Sequence, residues 1–192
     1  MTLSHKELYG LVLMGGKSSR MGKDKSQLMI NNQPLYKRQY DLLSSLCDQV
    51  FLSCNSEQAK HIPADYPKLV DLQSFTGPMS GIRNAFSHSP TNWLVIPIDM
   101  PMIDKEFLNK MISEYTENEN VVCALDSNEM INPLLAIYSK SCNQLIANYS
   151  GDSPREFVKS VSFKTVLIKD EMNINLNRPN DVELFQSKLG MS

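Results

Sequence analysis

The run Trp93-Leu94-Val95-Ile96-Pro97-Ile98 constrains this chain most. Six apolar residues without polar alternation suit a strand covered on both faces, as in a parallel sheet layered with helices. The pattern recurs along the chain. Residues 8–14, 49–54 and 68–71 read as strands before it, and 121–125, 133–138 and 163–169 as strands after it. Helical periodicity fills the intervals, at residues 34–46, 82–88, 105–115, 142–148, 154–161 and 179–189. In the first of these, Leu35, Gln39, Leu42, Leu43 and Leu46 fall along one stripe, with Pro34 at the first turn. The polar stretch 126–132 between two strands predicts a hairpin. The whole predicts one α/β domain over residues 1–192, Rossmann-like, with three layers: a mostly parallel sheet and helices on both faces.

Composition removes several classes of function. A chain of 192 residues suits a single domain. The 19 Lys and Arg against 21 Asp and Glu leave a net charge of −2, with no basic excess to bind nucleic acid. No apolar run approaches the roughly 20 residues that span a bilayer, and the opening Met-Thr-Leu-Ser-His-Lys-Glu-Leu lacks a signal peptide's apolar centre. Cys47, Cys54, Cys123 and Cys142 show neither CxxC nor Cys/His spacing, so neither a zinc site nor a disulfide framework is expected. His5, His61 and His88 lie apart and receive no chemistry. The expectation is a cytoplasmic protein with no nucleic-acid and no membrane partner.

The chemistry concentrates after the first strand, in Leu11-Val-Leu-Met-Gly-Gly-Lys-Ser-Ser-Arg-Met-Gly-Lys-Asp-Lys25. A loop in that place lies at the carboxyl edge of the sheet, where open α/β folds bind ligands. Glycines let backbone N–H groups approach phosphate oxygens, and successive N–H groups can cradle an anion. Arg20 would add a planar fork and Lys25 a point charge. The Walker A spacing is absent, and Gly15 and Gly16 are adjacent rather than spaced as in the dinucleotide fingerprint. A plain basic surface turn would also be cationic. The density of glycine and cation directly behind a buried strand favours phosphate binding.

Residues 13–25 resemble the LxGGxSxRMGxDK signature of the MobA-type nucleotidyltransferases, which attach GMP to molybdopterin. The likeness continues in order through Gln33-Pro34-Leu35, Thr76-Gly-Pro-Met-Ser-Gly-Ile82, Ile98-Asp99-Met100-Pro101, Asn132-Pro133-Leu134 and Asn173-Ile-Asn-Leu-Asn-Arg-Pro179, and so covers nearly the whole chain. The resemblance implies a nucleotide-diphospho-sugar transferase-like fold. It also implies a nucleotide site at Leu13, Met14, Gly15, Gly16, Lys25, Asn55, Asp71 and Asp99. Ser53 is an alternative to Asn55. Lys25 and Arg20 would be catalytic, and Asp99 would hold Mg²⁺, which typically takes one or two carboxylates plus phosphates and water.

The implied substrates are GTP and molybdopterin or its molybdenum-loaded form, with molybdoenzymes or their chaperones as further partners. Competing readings are a cytidylyltransferase for the same pterin, a sugar- or polyol-phosphate nucleotidyltransferase, and a catalytically silent nucleotide-binding module. Cytidylyltransferases usually carry alanine at one of the two glycines Gly15 and Gly16. Met14 replaces a frequent alanine, placing bulk beside the nucleotide loop, and Arg178 replaces a usual threonine. Asn175 and Asn177 are either ligand contacts or turn residues before Pro179. Lys140, Arg155 and Lys159 are basic candidates for the acceptor phosphate.

Overall fold

In the computed structural model, residues 8–15, 24–71, 77, 79–176 and 181 are described. The elements run in chain order as β1 (Leu8–Leu13), a 3-10 turn (Lys25–Gln27), β2 (Met29–Ile30), β3 (Gln33–Pro34), α1 (Leu35–Ser44), β4 (Gln49–Cys54), α2 (Ser56–His61) and β5 (Lys68–Val70). There follow α3 (Met79–His88), β6 (Asn92–Pro97), α4 (Lys105–Glu114), β7 (Val121–Leu125), β8 (Ile131–Tyr138), α5 (Cys142–Asn148), α6 (Pro154–Ser160) and β9 (Phe163–Leu167). Of the closing helix expected at 179–189, residue 181 alone is described, and it is helical.

Seven strands form one sheet in the order β5-β4-β1-β6-β8-β7-β9. β8 alone among them runs antiparallel, paired on one side with β6 and on the other with β7 through the expected hairpin. The remaining neighbours are parallel. The central strand β6 is buried along its whole length, and its side chains divide between two cores. Leu94 and Ile96 join Val12, Leu43, Leu108 and Met111 beneath α1 and α4. Trp93 and Val95 join Leu11, Ile82, Phe86, Ile146 and Phe157 beneath α3, α5 and α6. This is the three-layer arrangement expected, because a period of two sends a continuous apolar run to both faces.

Four short elements were not anticipated: the 3-10 turn, β2, β3 and α2. β2 and β3 pair across Asn31 and Asn32, whose φ values of 52° and 59° make the tight turn. α2 begins at a capping box in which the Asn55 side chain accepts from Gln58 N while the Gln58 side chain accepts from Asn55 N. α3 starts at Met79 rather than at residue 82, and Gly81 explains the fit. A Cβ there would lie 2.6 Å from Leu13 Cδ2 and from Ser53 Oγ, so the first turn of α3 packs directly on the ends of β1 and β4. Gly81→Ala is therefore expected to cost about 1–3 kcal/mol. A thermal midpoint equal to the parent's would show that the contact is not tight.

Candidate active site

The carboxyl ends of β1, β4, β5 and β6 are tied into one rim. Met14 N donates to Ser53 O (3.1 Å), Ile98 N to Leu13 O (3.0 Å) and Asp71 N to Cys54 O (2.8 Å). Past this rim the chain leaves the sheet at Gly15, Asn55, Asp71 and Asp99, the four turns where ligand contacts were expected. Gly15 has φ +83°, a backbone conformation that favours glycine. Gly16 and Arg20 lie outside the described residues, as do Asn177 and Arg178.

Lys25 and Asp99 meet across this rim. Lys25 Nζ lies 3.6 Å from Asp99 Oδ2, with side chains only 16% and 25% exposed. Asp99 sits two residues beyond the end of β6. Its backbone is held from below by Leu176 N, which donates to Asp99 O (2.8 Å). The next two carbonyls are held from α1, by Gln39 Nε2 on Met100 O (2.9 Å) and Arg38 Nε on Pro101 O (3.3 Å). Helix capping is left to Asp104, which accepts from Phe107 N (2.8 Å), so Asp99 is not consumed by a structural role at α4. Burial pushes the Asp99 carboxyl above the ordinary carboxylate range, and the Lys25 ammonium pulls partly against that shift.

Asp71 is also raised by burial, opposed by a hydrogen bond from the Ser53 hydroxyl. Ser53 is thus a partner of Asp71 while Asn55 caps α2, which assigns the pair different local duties. Leu13 and Met14 are both buried, with their side chains in opposite cores, so that it is their main chain that borders the rim.

Asp24 and Gln58 are the residues that sequence reasoning missed. Asp24 Oδ1 accepts from Ser26 N (3.0 Å), capping the turn that carries Lys25, and from Gln58 Nε2 (3.0 Å). Gln58 in turn closes the capping box with Asn55. The turn of Lys25 and the start of α2 are therefore one hydrogen-bonded unit. The Asn55-x-x-Gln58 spacing was the visible signal.

A cavity adjoins this rim. Its volume is about 390 Å³, and it is lined by Asn132, Ser153, Pro154, Arg155, Asn173 and Asn175, among others. It opens beside the Asp99 turn: Asn132 Nδ2 reaches Met100 Sδ (3.2 Å), and Leu176, bonded to Asp99 O, follows Asn175 directly. Arg155 is well placed here. Lys140 is not, because it follows Tyr138, which pairs with Trp93 and Val121 at the opposite, amino edge of the sheet. Lys159 lies at the far end of α6, close to that same edge.

Residues 10–165 match the MobA-like NTP transferase domain family. A "molybdenum cofactor biosynthesis bifunctional protein" of Synechocystis is 42% identical over 123 residues, 63% of this chain. Those residues span only 35% of that longer relative. A Flavobacterium johnsoniae protein named "probable molybdenum cofactor guanylyltransferase" is 29% identical over 176 residues, covering 90% of this chain and 91% of its own. Among solved structures, the Archaeoglobus fulgidus molybdopterin-guanine dinucleotide biosynthesis protein A superposes with a TM-score of 0.78 at 21% identity, over 96% of this chain and all of the other. With its ordered motifs, its sheet and the Lys25–Asp99 rim, the chain is a nucleotidyltransferase belonging to the MobA-like NTP transferase domain family.

Proposed function

We propose that this protein transfers GMP from GTP to the terminal phosphate of molybdopterin, or of its molybdenum-loaded form. The single observation that carries the reading is the placement of a half-buried ammonium and a half-buried carboxylate 3.6 Å apart at the carboxyl edge of the sheet. A phosphate oxygen of the acceptor attacks the α-phosphorus of GTP. A new P–O–P bond forms, the bond between the α-phosphorus and the bridging oxygen breaks, and pyrophosphate leaves with the electron pair. The nucleophile is already anionic at neutral pH, so no strong general base is needed. What the protein has to supply is alignment and neutralisation of charge.

Lys25 is suited to hold the triphosphate and the charge that builds on the leaving pyrophosphate, and Arg20 would assist from the same loop. Gly15 and Gly16 would let the main chain close on the phosphates, while Asn55 and Asp71 face the nucleoside. The cavity lined by Asn132, Arg155, Asn173 and Asn175 offers the acceptor a polar wall with a guanidinium for its phosphate. Glycine at both 15 and 16, with φ +83° at the first, fits the guanylyl rather than the cytidylyl pattern.

Magnesium fits Asp99. Among the described residues no cluster of three or more His, Cys, Asp or Glu could cage a metal ion. A single hard oxygen donor suits an ion that takes its other ligands from phosphate and water. When bound, Mg²⁺ would neutralise triphosphate oxygens and polarise the α-phosphate.

The test is direct. Purified protein is incubated with Mg²⁺, molybdopterin and each of the four NTPs in turn, and pyrophosphate release and the mass of the pterin product are followed. GTP is expected to yield a GMP adduct and outpace the other three. A preference for CTP would replace guanylyl by cytidylyl transfer, and pyrophosphate release from none of them would overturn the assignment.

A further inference from the structure

We propose that Arg83 is a positioning residue for the acceptor half of the site, acting through Tyr149 and Ser153; this rests on the functional reading above. Arg83 stands on α3, two residues past the close contact at Gly81, with its side chain 9% exposed. A buried guanidinium is tolerated only where hydrogen bonds replace its hydration. Here Nη2 donates to the carbonyls of Tyr149 (2.6 Å) and Gly151 (2.7 Å). Nη1 lies 3.4 Å from Asp152 Oδ1, and the guanidinium carbon stands 5.9 Å from the centre of the Tyr149 ring. Asp152 is 67% exposed, so its charge is screened by solvent and the two carbonyl bonds do the fixing.

Those carbonyls belong to the loop between α5 and α6, 66 and 68 residues away from Arg83 in the chain. From there the contacts lead straight to the acceptor cavity. The Tyr149 hydroxyl donates to Ser153 O (3.0 Å), and Ser153 caps α6 by accepting from Glu156 N. Ser153, Pro154 and Arg155 then form one wall of the 390 Å³ cavity. Gly151 is part of the same device. A Cβ at that position would lie 2.5 Å from Tyr149 Oη and 2.7 Å from Cζ, so a side chain there would push the ring off its bond to Ser153. Gly77, ahead of α3, also lies against this loop, for a Cβ there would sit 3.8 Å from Asp152. Arg83 therefore ties the helix that packs on the nucleotide rim to the wall facing the acceptor. A lysine is a poor substitute, since a point charge does not reproduce a fork directed at two carbonyls.

The guanidinium also borders a separate cavity of about 470 Å³, lined with Phe86, Asn143, Ile146 and Tyr149, through which a small cation can reach the position. Steady-state kinetics of Arg83→Ala and Arg83→Lys should show a KM for molybdopterin raised about tenfold or more, with the KM for GTP unchanged. Millimolar guanidinium should restore the acceptor KM of Arg83→Ala but not of Arg83→Lys. Gly151→Ala should give the same selective shift with Arg83 intact. Equal increases in both KM values together with a lowered thermal midpoint would reduce Arg83 to general structural support and overturn the proposal; so would an unchanged acceptor KM. Should the parent protein transfer no nucleotide to molybdopterin, the functional reading fails on its own. Hydrogen exchange then decides about the strap: faster exchange at residues 149–155 in Arg83→Ala supports it, and unchanged exchange refutes it.

Discussion

Lys25→Ala is expected to lower turnover by about 10²–10³-fold, the usual effect of removing one preorganised charge from a site where charge develops. Lys25 is well held for that task. Its turn is capped by Asp24, Asp24 is fastened to Gln58, and its side chain is only 16% exposed beside Asp99. A cation already in place stabilises the departing pyrophosphate without reorganising at the moment of reaction. The fold should survive, because the pair is a partly solvated rim contact and the two cores lie elsewhere. Pyrophosphate release under saturating GTP, with a thermal melt on the same sample, checks both halves. Turnover close to the parent's would remove Lys25 from the chemistry.

Asp99→Asn is expected to produce the second large loss, about 10²-fold or more in turnover, together with a magnesium titration that no longer saturates. The pH behaviour follows from the sign of the shift. Burial raises the Asp99 carboxyl in the folded protein above its unfolded value. Metal binding that needs the carboxylate should therefore begin to weaken on the acid side at a pH above the ordinary carboxylate range, and Asp99→Asn should lack that dependence. Stability runs the other way. Between the unfolded and folded pKa values the native state keeps a proton that the unfolded chain has lost, so stability drops as pH rises through that window. Above it the ionised, half-buried Asp99 is a net cost, and Asp99→Asn should melt no lower than the parent at neutral pH. The difference should vanish on acidification below the window. Unchanged magnesium curves, or a lower melting point at neutral pH, would contradict the assignment.

Much of this architecture was readable in the residues because it depends on local pattern. Residues 49–54, 121–125 and 142–148 form elements at the expected bounds, and the continuous run around Val95 announced a sheet covered on both faces. The meeting of Lys25 with Asp99, 74 positions apart, followed from one topological fact: loops after parallel strands share an edge. Other features depend on partners that no spacing records. Arg83 looks like an ordinary helical cation until the Tyr149 and Gly151 carbonyls are folded against it. Lys140 and Arg155 are alike in sequence, yet the antiparallel course of β8 carries Lys140 to the amino edge while Arg155 stays at the site. Gly81 reads as a helix breaker, and the close approach of α3 to Leu13 and Ser53 makes it an interior helical residue. Only α2 was legible and passed over, since Asn55 was read as a ligand contact before it was read as a cap.

A crystal grown with GTP and Mn²⁺, the ion chosen for its anomalous signal, addresses the central claim most directly. The expected map places the manganese peak on the Asp99 carboxylate and the triphosphate between Gly15 and the Lys25 ammonium. A metal and nucleotide bound anywhere that leaves the Lys25–Asp99 contact untouched would contradict it.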